Sequence, residues 1–422
     1  MNMTMTREPV AAPTAPPGGA RLRVAAVLAG WIVLVVAVAV TGDVLLDRGV
    51  ELWTRLPPLT GRFDPRASVL VVPALTASLA VVWWGPRLAR TMGWRELLWL
   101  SFAAATVWGA ALAFADGADG FLASPSAADD YLASLGAVGD PVGFLGHFIA
   151  DLPTYVTHVR AHPPGLLLAL FGMDRAGLGG PGWFAVLQML AAAAPFVVLV
   201  PAAVFWSSGD AVLLGVSAWA AALLVLATGT TATGRRGTLL ALAGGTLFGV
   251  SLFLSYGLAL LALVPLAVAW RRRVRPLVVS AAPVAVIVAL FGAAGVWWWD
   301  GLAAAVHEHD VFVTNTRPYW YFLLANVAAL SLVLGPAVVA LLARPRERQV
   351  WPLVAGALLA LVVADVSGLS EGEVERIWLP FVPWIVVAAA AYAGDPTRRI
   401  RAWLTAQAAM AIGLQTMVST HW

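Results

Sequence analysis

Residues 235–273 read RRGTLLALAGGTLFGVSLFLSYGLALLALVPLAVAWRRR. Two arginine clusters flank a long apolar run that Ser255-Tyr256-Gly257 interrupts near its middle. Clusters of basic residues beside apolar segments stay in the cytoplasm, so the run must cross a membrane twice to bring both clusters to that side. This stretch therefore predicts a pair of transmembrane helices joined by a tight turn.

The composition of the whole chain agrees with a membrane protein. Of the 422 residues, 60% are hydrophobic and 12% are charged. A soluble domain averages about 45–50% apolar and about 25% charged residues, and intrinsic disorder requires low hydrophobicity with high charge. Long unbroken apolar runs exclude an outer-membrane β-barrel, whose strands alternate apolar and polar residues. The sequence predicts an all-α polytopic membrane protein.

Apolar runs of suitable length predict about thirteen spans. Residues 1–20 are polar and rich in proline and glycine, which predicts a disordered cytoplasmic N-terminus, and residues 21–422 form a single transmembrane domain. The predicted spans are 25–42, 67–85, 96–115, 163–174, 182–205, 211–228, 237–254, 257–270, 277–297, 320–342, 350–365, 377–393 and 402–418.

Charge determines the predicted orientation. With the N-terminus inside, 19 of the 26 basic residues fall on the cytoplasmic side, as the positive-inside rule requires. All six histidines and most carboxylates then fall on the outer face, mostly in loop 116–162, loop 298–319 and segment 365–376. The net charge of +3 is too small to indicate a nucleic-acid partner. These three outer segments form the predicted active site of a protein in the cytoplasmic membrane.

Loop 116–162 carries the first group of candidate residues. Asp129-Asp130-Tyr131 precedes two short mixed stretches that suit interfacial helices, and the loop ends at His162-Pro163-Pro164. A proline pair suits a helix start, which places His162 at the membrane surface. An acidic residue here could take a proton from an acceptor hydroxyl, whereas the simpler interpretation is a solvated loop with an incidental histidine.

Segment 365–376 carries the second group, Glu371-Gly372-Glu373-Val374-Glu375-Arg376. Arg376 suits a phosphate near the lipid headgroups, because a guanidinium is permanently charged and binds phosphate through two hydrogen bonds. In the alternative interpretation Arg376 pairs with Glu373 or Glu375 and only orients the helix.

Loop 298–319 carries the third group. The tryptophans at 297–299 are typical of an interfacial belt, with sugar stacking as the alternative. His307, His309 and Asp310 could bind a divalent cation if extended, because alternate side chains then share a face, but on a helix they would point apart. Arg317 is a further candidate ligand of phosphate or sugar.

An early outer carboxylate pair, interfacial helices and a His-Pro-Pro helix start resemble the GT-C superfamily of integral membrane glycosyltransferases. The chain is also similar to uncharacterised membrane proteins of high-GC Gram-positive bacteria, from about Asp129 to Phe381. In the GT-C superfamily an acidic residue of the first outer loop is the catalytic base, and the donor is a sugar on a polyprenyl phosphate. Gly165 follows the prolines where leucine is usual in that superfamily.

The resemblance implies a GT-C-like fold and an inverting glycosyltransferase acting on a cell-envelope glycan, lipid or protein. Asp129 or Asp130 would be the base. The donor phosphate would be bound by Arg376, Arg160 and Arg317, and the substrates by His162, Tyr131, Glu373, Glu375, His309 and Tyr319. The alternative function is a transporter or flippase of a lipid-linked or polar solute, which would place ionisable residues near the middle of the bilayer.

Overall fold

Helix dominates the computed structural model of the protein, which describes residues 18–52, 62–66, 68–123, 125–128, 130–193, 210–229, 232–311, 317–344, 348–392 and 394–419. In a bilayer a helix satisfies its backbone hydrogen bonds internally, which suits the apolar runs of this sequence. Within the described residues, strand is limited to β1 (Arg62–Phe63), paired antiparallel with β2 (Val418–Ser419). The predicted all-α class is confirmed.

The helices of the described residues are as follows in chain order. They are α1 (Gly18–Asp47), α2 (Val72–Thr91), α3 (Trp94–Ala113), α4 (Gly117–Ala123), α5 (Pro141–His147), α6 (Thr157–Arg160), α7 (Gly165–Arg175), α8 (Pro181–Ala193), α9 (Asp210–Thr228), α10 (Gly234–Leu252), α11 (Leu263–Ala269), α12 (Arg275–Ala293), α13 (Trp298–His309), α14 (Tyr319–Val339), α15 (Trp351–Val366), α16 (Val374–Ile377), α17 (Val382–Val386) and α18 (Thr397–Met417).

Seven helical segments of the described chain are long and apolar enough to cross a membrane. They are Arg21–Asp47, Val69–Thr91, Trp94–Ala123, Asp210–Thr228, Arg275–Ala293, Tyr319–Ala343 and Val374–Tyr392. Each coincides with one of the predicted spans. The protein is therefore helical and suited to a lipid bilayer.

The other six predicted spans are not confirmed by length and composition. The helix at 163–174 has 11 residues, and those at 257–270 and 350–365 are also short. The helices at 237–254 and 402–418 have arginines in their first turns. The span 182–205 is described only to Ala193. The total of about thirteen stays a prediction.

Contacts between the connections sort them into two ends of the bundle. At one end Arg66 pairs with Asp116 at 2.9 Å. At the other end Arg344 pairs with Asp395 at 2.6 Å, and Arg90 donates to Thr397 Oγ1 at 2.6 Å. This grouping agrees with the predicted alternation of the loops, and the assignment of one end to the cytoplasm stays a prediction.

The long loop 116–162 is folded against the bundle. Besides α4, α5 and α6 it contains a 3-10 helix at Tyr131–Ala137, and Phe148 and Leu152 are at most 2% exposed. The Phe148 and Tyr155 rings stack with centroids 5.5 Å apart. Burial of these apolar side chains holds the loop across the end of the bundle.

Candidate functional site

Asp130 begins the 3-10 helix Tyr131–Ala137 and lies below the surface. Its carboxylate accepts a hydrogen bond from the Tyr131 N–H at 2.5 Å, and the residue is only 4% exposed. Burial raises the pKa of the Asp130 carboxyl and outweighs the lowering effects of His158, the Tyr131 N–H and Arg376. A carboxylate with a raised pKa accepts a proton more readily, which suits a general base. Asp129 lies outside the described residues.

His162 faces the same interior. Its Nδ1 lies 2.9 Å from the His158 carbonyl oxygen, and because a carbonyl only accepts, Nδ1 carries the hydrogen. The ring centroids of Tyr131 and His162 are 6.0 Å apart, and those of Tyr131 and His158 are 6.1 Å apart. Burial lowers the pKa of His162, which favours the neutral imidazole. Asp130, Tyr131 and His162 of loop 116–162 therefore form one cluster.

Gly165 fixes the start of α7 directly behind this cluster. Its N–H donates to the Phe253 carbonyl oxygen at 2.8 Å. A Cβ at this position would lie 2.2 Å from the same oxygen, which is shorter than any van der Waals contact. The close approach of two backbones explains why glycine follows Pro163-Pro164 here.

Arg376 projects into the cluster from α16. Its side chain is 9% exposed and forms an ion pair with Glu373, and its Nε lies 3.9 Å from Asp210 Oδ2. Of the two partners considered for Arg376 in the sequence, Glu373 is the one in ion-pair contact. A phosphate that binds this guanidinium would therefore compete with the carboxylates of Glu373 and Asp210 for it.

Asp210 belongs to the candidate site although its place in the sequence does not indicate it. It is the first residue of α9 and is 8% exposed. An acidic residue in the first turn of a helix is common because it complements the helix dipole, so its sequence position carries no specific signal. Only the packing of α9 beside the segment Leu379–Phe381 brings it to Arg376.

Glu373 has an unusual backbone. Its φ of 56° lies in the left-handed region, which is uncommon for residues other than glycine. Burial would raise the pKa of its carboxyl, but Arg376, Arg317 and His158 together lower it below the ordinary value. Glu373 is therefore a carboxylate held ionised by the cations around it.

Two further glutamates of this segment are buried. Glu371 and Glu375 are 4% and 5% exposed. Neither oxygen of the Glu375 carboxyl has a hydrogen-bond partner on another described residue. Burial raises the pKa of Glu371 in spite of the opposing effect of Arg317. The site thus contains more carboxyl groups than its nearby guanidiniums balance.

Asn326 in α14 holds the segment that carries these residues. It is 1% exposed. Its Nδ2 donates to Asp365 Oδ1 at 2.9 Å and to the Ser370 carbonyl, and its Oδ1 accepts from the Gly372 N–H at 3.2 Å. The sequence does not indicate this role, because a single asparagine in an apolar run gives no sign of its partners.

Two other predicted site residues, Arg317 and Tyr319, form hydrogen bonds with the backbone of residues 366–371. Arg317 donates to the Glu371 carbonyl and lies over the Phe322 ring, with its guanidinium carbon 5.6 Å from the centroid. The Tyr319 hydroxyl donates to the Val366 carbonyl at 2.8 Å. In this structure both contacts are with the backbone or ring of the protein itself, so a ligand would have to share or replace them.

Arg160 and His309 lie at the margin of the site. Arg160 pairs with Glu308 of α13 at 3.4 Å. Burial lowers the pKa of His309, and Arg317 adds to that effect while Asp310 opposes it. His307 and His309 both belong to α13, where residues two apart point in different directions. Among the described residues no group of three or more histidine, aspartate or glutamate side chains could hold a metal ion.

No protein-family model matches the chain, and no curated protein or solved structure is significantly similar to it. The candidate site is assembled by long-range packing. Its residues come from four separate parts of the chain: Asp130 to His162, Asp210, Arg317 to Asn326, and Glu371 to Arg376. They meet at one end of the bundle.

Proposed function

We propose that this protein is a membrane glycosyltransferase with a GT-C-like architecture, acting at the outer face of the cytoplasmic membrane. The donor is a sugar on a polyprenyl phosphate, and the acceptor is a hydroxyl of a cell-envelope glycan, lipid or protein. The observation that carries the proposal is the grouping of Asp130 with Arg376 at one end of a lipid-suited bundle, where the Arg376 guanidinium acts to lower the pKa of the Asp130 carboxyl against the effect of burial.

The reaction needs a base and a stabilised leaving group. Asp130 accepts the proton of the acceptor hydroxyl, whose oxygen attacks the anomeric carbon. The bond between that carbon and the phosphate oxygen breaks, its electron pair goes to the phosphate, and polyprenyl phosphate leaves. Attack opposite the leaving group inverts the anomeric configuration. A guanidinium at Arg376 opposes the charge that develops on the phosphate.

The distribution of buried charge favours this function over transport. A transporter places its ionisable groups near the bilayer midplane, on broken helices. Here Asp130, Asp210 and Arg376 lie together at one end, and Asp210 and Arg376 lie near the starts of the apolar segments Asp210–Thr228 and Val374–Tyr392.

The test is transfer by the purified full-length protein from a panel of radiolabelled polyprenyl-phosphate sugars to crude envelope acceptors. D130N should lower turnover by about 100-fold or more, the contribution typical of a general base, while donor binding remains. D119N is the matched control, because Asp119 is an exposed aspartate of the same loop, and it should match the parent. D129N tests the neighbouring carboxylate in the same assay.

Two results would contradict the proposal. If D130N, D129N and their double variant all transfer sugar at the parent rate, the carboxylate pair does not supply the base. If the folded parent binds no polyprenyl-phosphate sugar but carries a solute across liposome membranes, the protein is a transporter.

A further inference from the structure

The end of the bundle opposite the candidate site carries a groove that the proposed function does not use. The groove has a volume of about 630 Å³, and its lining includes Arg235, Arg236, Leu239, Leu240 and Ala243 of α10. The other end of α10 leads to Phe253, which contacts Gly165 behind the site. Helix α10 has 19 residues, so its arginine end lies about 28 Å from the end that leads to Phe253.

The apolar side of the groove is exposed on the flank of the bundle. Helix α10 packs between α9 and α12, and both of these lie in segments suited to crossing a membrane. Leu239 is 55% exposed, and Val278 on the neighbouring α12 is 68% exposed. Large apolar side chains exposed on the flank of a membrane bundle contact acyl chains.

Among the residues that the structure describes, no carboxylate pairs with the basic side of the groove. Neither Arg235 nor Arg236 makes an ion pair or side-chain hydrogen bond with any residue in the described ranges. Residues 229–236 and 270–276 contain no acidic residue. Arg273 bonds the two connections together by donating to the Ala232 carbonyl at 2.9 Å. This brings the exposed arginines at 271 and 272 to the same end.

We propose that this groove is a binding site for an anionic phospholipid of the adjacent leaflet. Arg235 and Arg236 bind the headgroup phosphate, for which the guanidinium geometry is suited. One acyl chain lies along Leu239, Leu240 and Ala243. A zwitterionic lipid is bound less well, because its own ammonium group already balances its phosphate.

The test is lipid retention by the full-length protein. The protein is released from nanodiscs containing equal amounts of phosphatidylglycerol and phosphatidylcholine of the same chain length, and bound lipids are counted by native mass spectrometry. The parent should retain phosphatidylglycerol in preference. R235Q/R236Q should reduce that preference by about tenfold or more, since each basic residue near a charged bilayer contributes roughly fivefold.

The matched control is R271Q/R272Q, which removes the same charge at the same end but outside the groove lining, and it should have a clearly smaller effect. Equal losses in the two double variants would overturn the site, because a diffuse basic surface would then account for the retention. Equal retention of the two lipids by the parent would also overturn it.

A second comparison separates a lipid from a free anion. L239Q leaves every charge in place and should still reduce retention of phosphatidylglycerol, because it removes an acyl-chain contact. Displacement of the lipid by millimolar inorganic phosphate, together with full retention by L239Q, would show that the groove recognises phosphate alone and would contradict the lipid site.

Discussion

Arg376 Nε lies 3.9 Å from Asp210 Oδ2 across the candidate site. The two side chains are 9% and 10% exposed, so neither charge is well solvated. The contact joins the start of α9 to α16, and Glu373 pairs with the same guanidinium from within its own segment. The proposed phosphate ligand is thus positioned by two carboxylates.

The first prediction concerns this pair. D210N should lower the free energy of unfolding by about 2 kcal/mol, because it leaves a buried guanidinium with one carboxylate fewer. Thermal unfolding of the detergent-solubilised protein measures the change. D116N is the control. Asp116 pairs with Arg66, and their side chains are 29% and 33% exposed, respectively, so loss of this pair should cost less than about 1 kcal/mol. A loss in D210N no larger than the loss in D116N would contradict the prediction that burial strengthens the interaction between Asp210 and Arg376.

The second prediction concerns acid stability. Burial lowers the pKa of His162 in the folded protein from its ordinary 6.5. Above that value His162 is neutral in both states and contributes nothing. As the pH falls below it, the unfolded chain takes up a proton that the folded protein resists, so stability decreases. The melting temperature should therefore fall between about pH 7.5 and about pH 5.5.

H162Q should make that fall smaller. His309, whose pKa burial also lowers, acts in the same direction, so H162Q/H309Q should flatten the curve further. H147Q changes an exposed histidine and should leave the slope as in the parent. A slope unaltered in H162Q/H309Q would show that other groups control acid unfolding.

The third prediction concerns the helix start behind the site. G165A should destabilise the protein by about 1–3 kcal/mol, because the new Cβ would lie 2.2 Å from the Phe253 oxygen and the backbones must separate. G172A lies in the same helix with nothing within 4 Å of its added Cβ, and it should be neutral or stabilising by up to about 1 kcal/mol. If both substitutions behave alike, α7 does not depend on this close approach.

The fourth prediction concerns Asn326 as a positioning residue. N326A removes three hydrogen bonds to residues 365–372 and should cost about 2–3 kcal/mol. It should also raise the donor KM more than it lowers kcat, because Arg376 loses its support, and it should expose segment 365–373 to proteolysis.

The control for Asn326 is Y319F, which removes a single hydrogen bond to the Val366 carbonyl and should have a smaller effect on each measurement. N326A with parent KM and unchanged proteolysis, but lower stability, would assign Asn326 to the core of the bundle and not to the site.

The sequence by itself determined the helical class and the position of each apolar segment, because a residue's preference for lipid depends on its own side chain. It also located the polar residues in a few loops, and Asp130, His162 and Arg376 were identified there. Periodicity and composition could not determine how many segments cross a membrane, since α7 and α11 are short.

The partners of those residues were decided by the tertiary structure alone. Asp210 contributes because α9 packs beside the Arg376 segment, and Asn326 contributes because α14 packs against α16. The local sequence around each residue is that of an ordinary helix turn or an apolar run. Long-range packing brings their side chains within a few ångströms of their partners. A single sequence does not indicate which remote parts of the chain come close together.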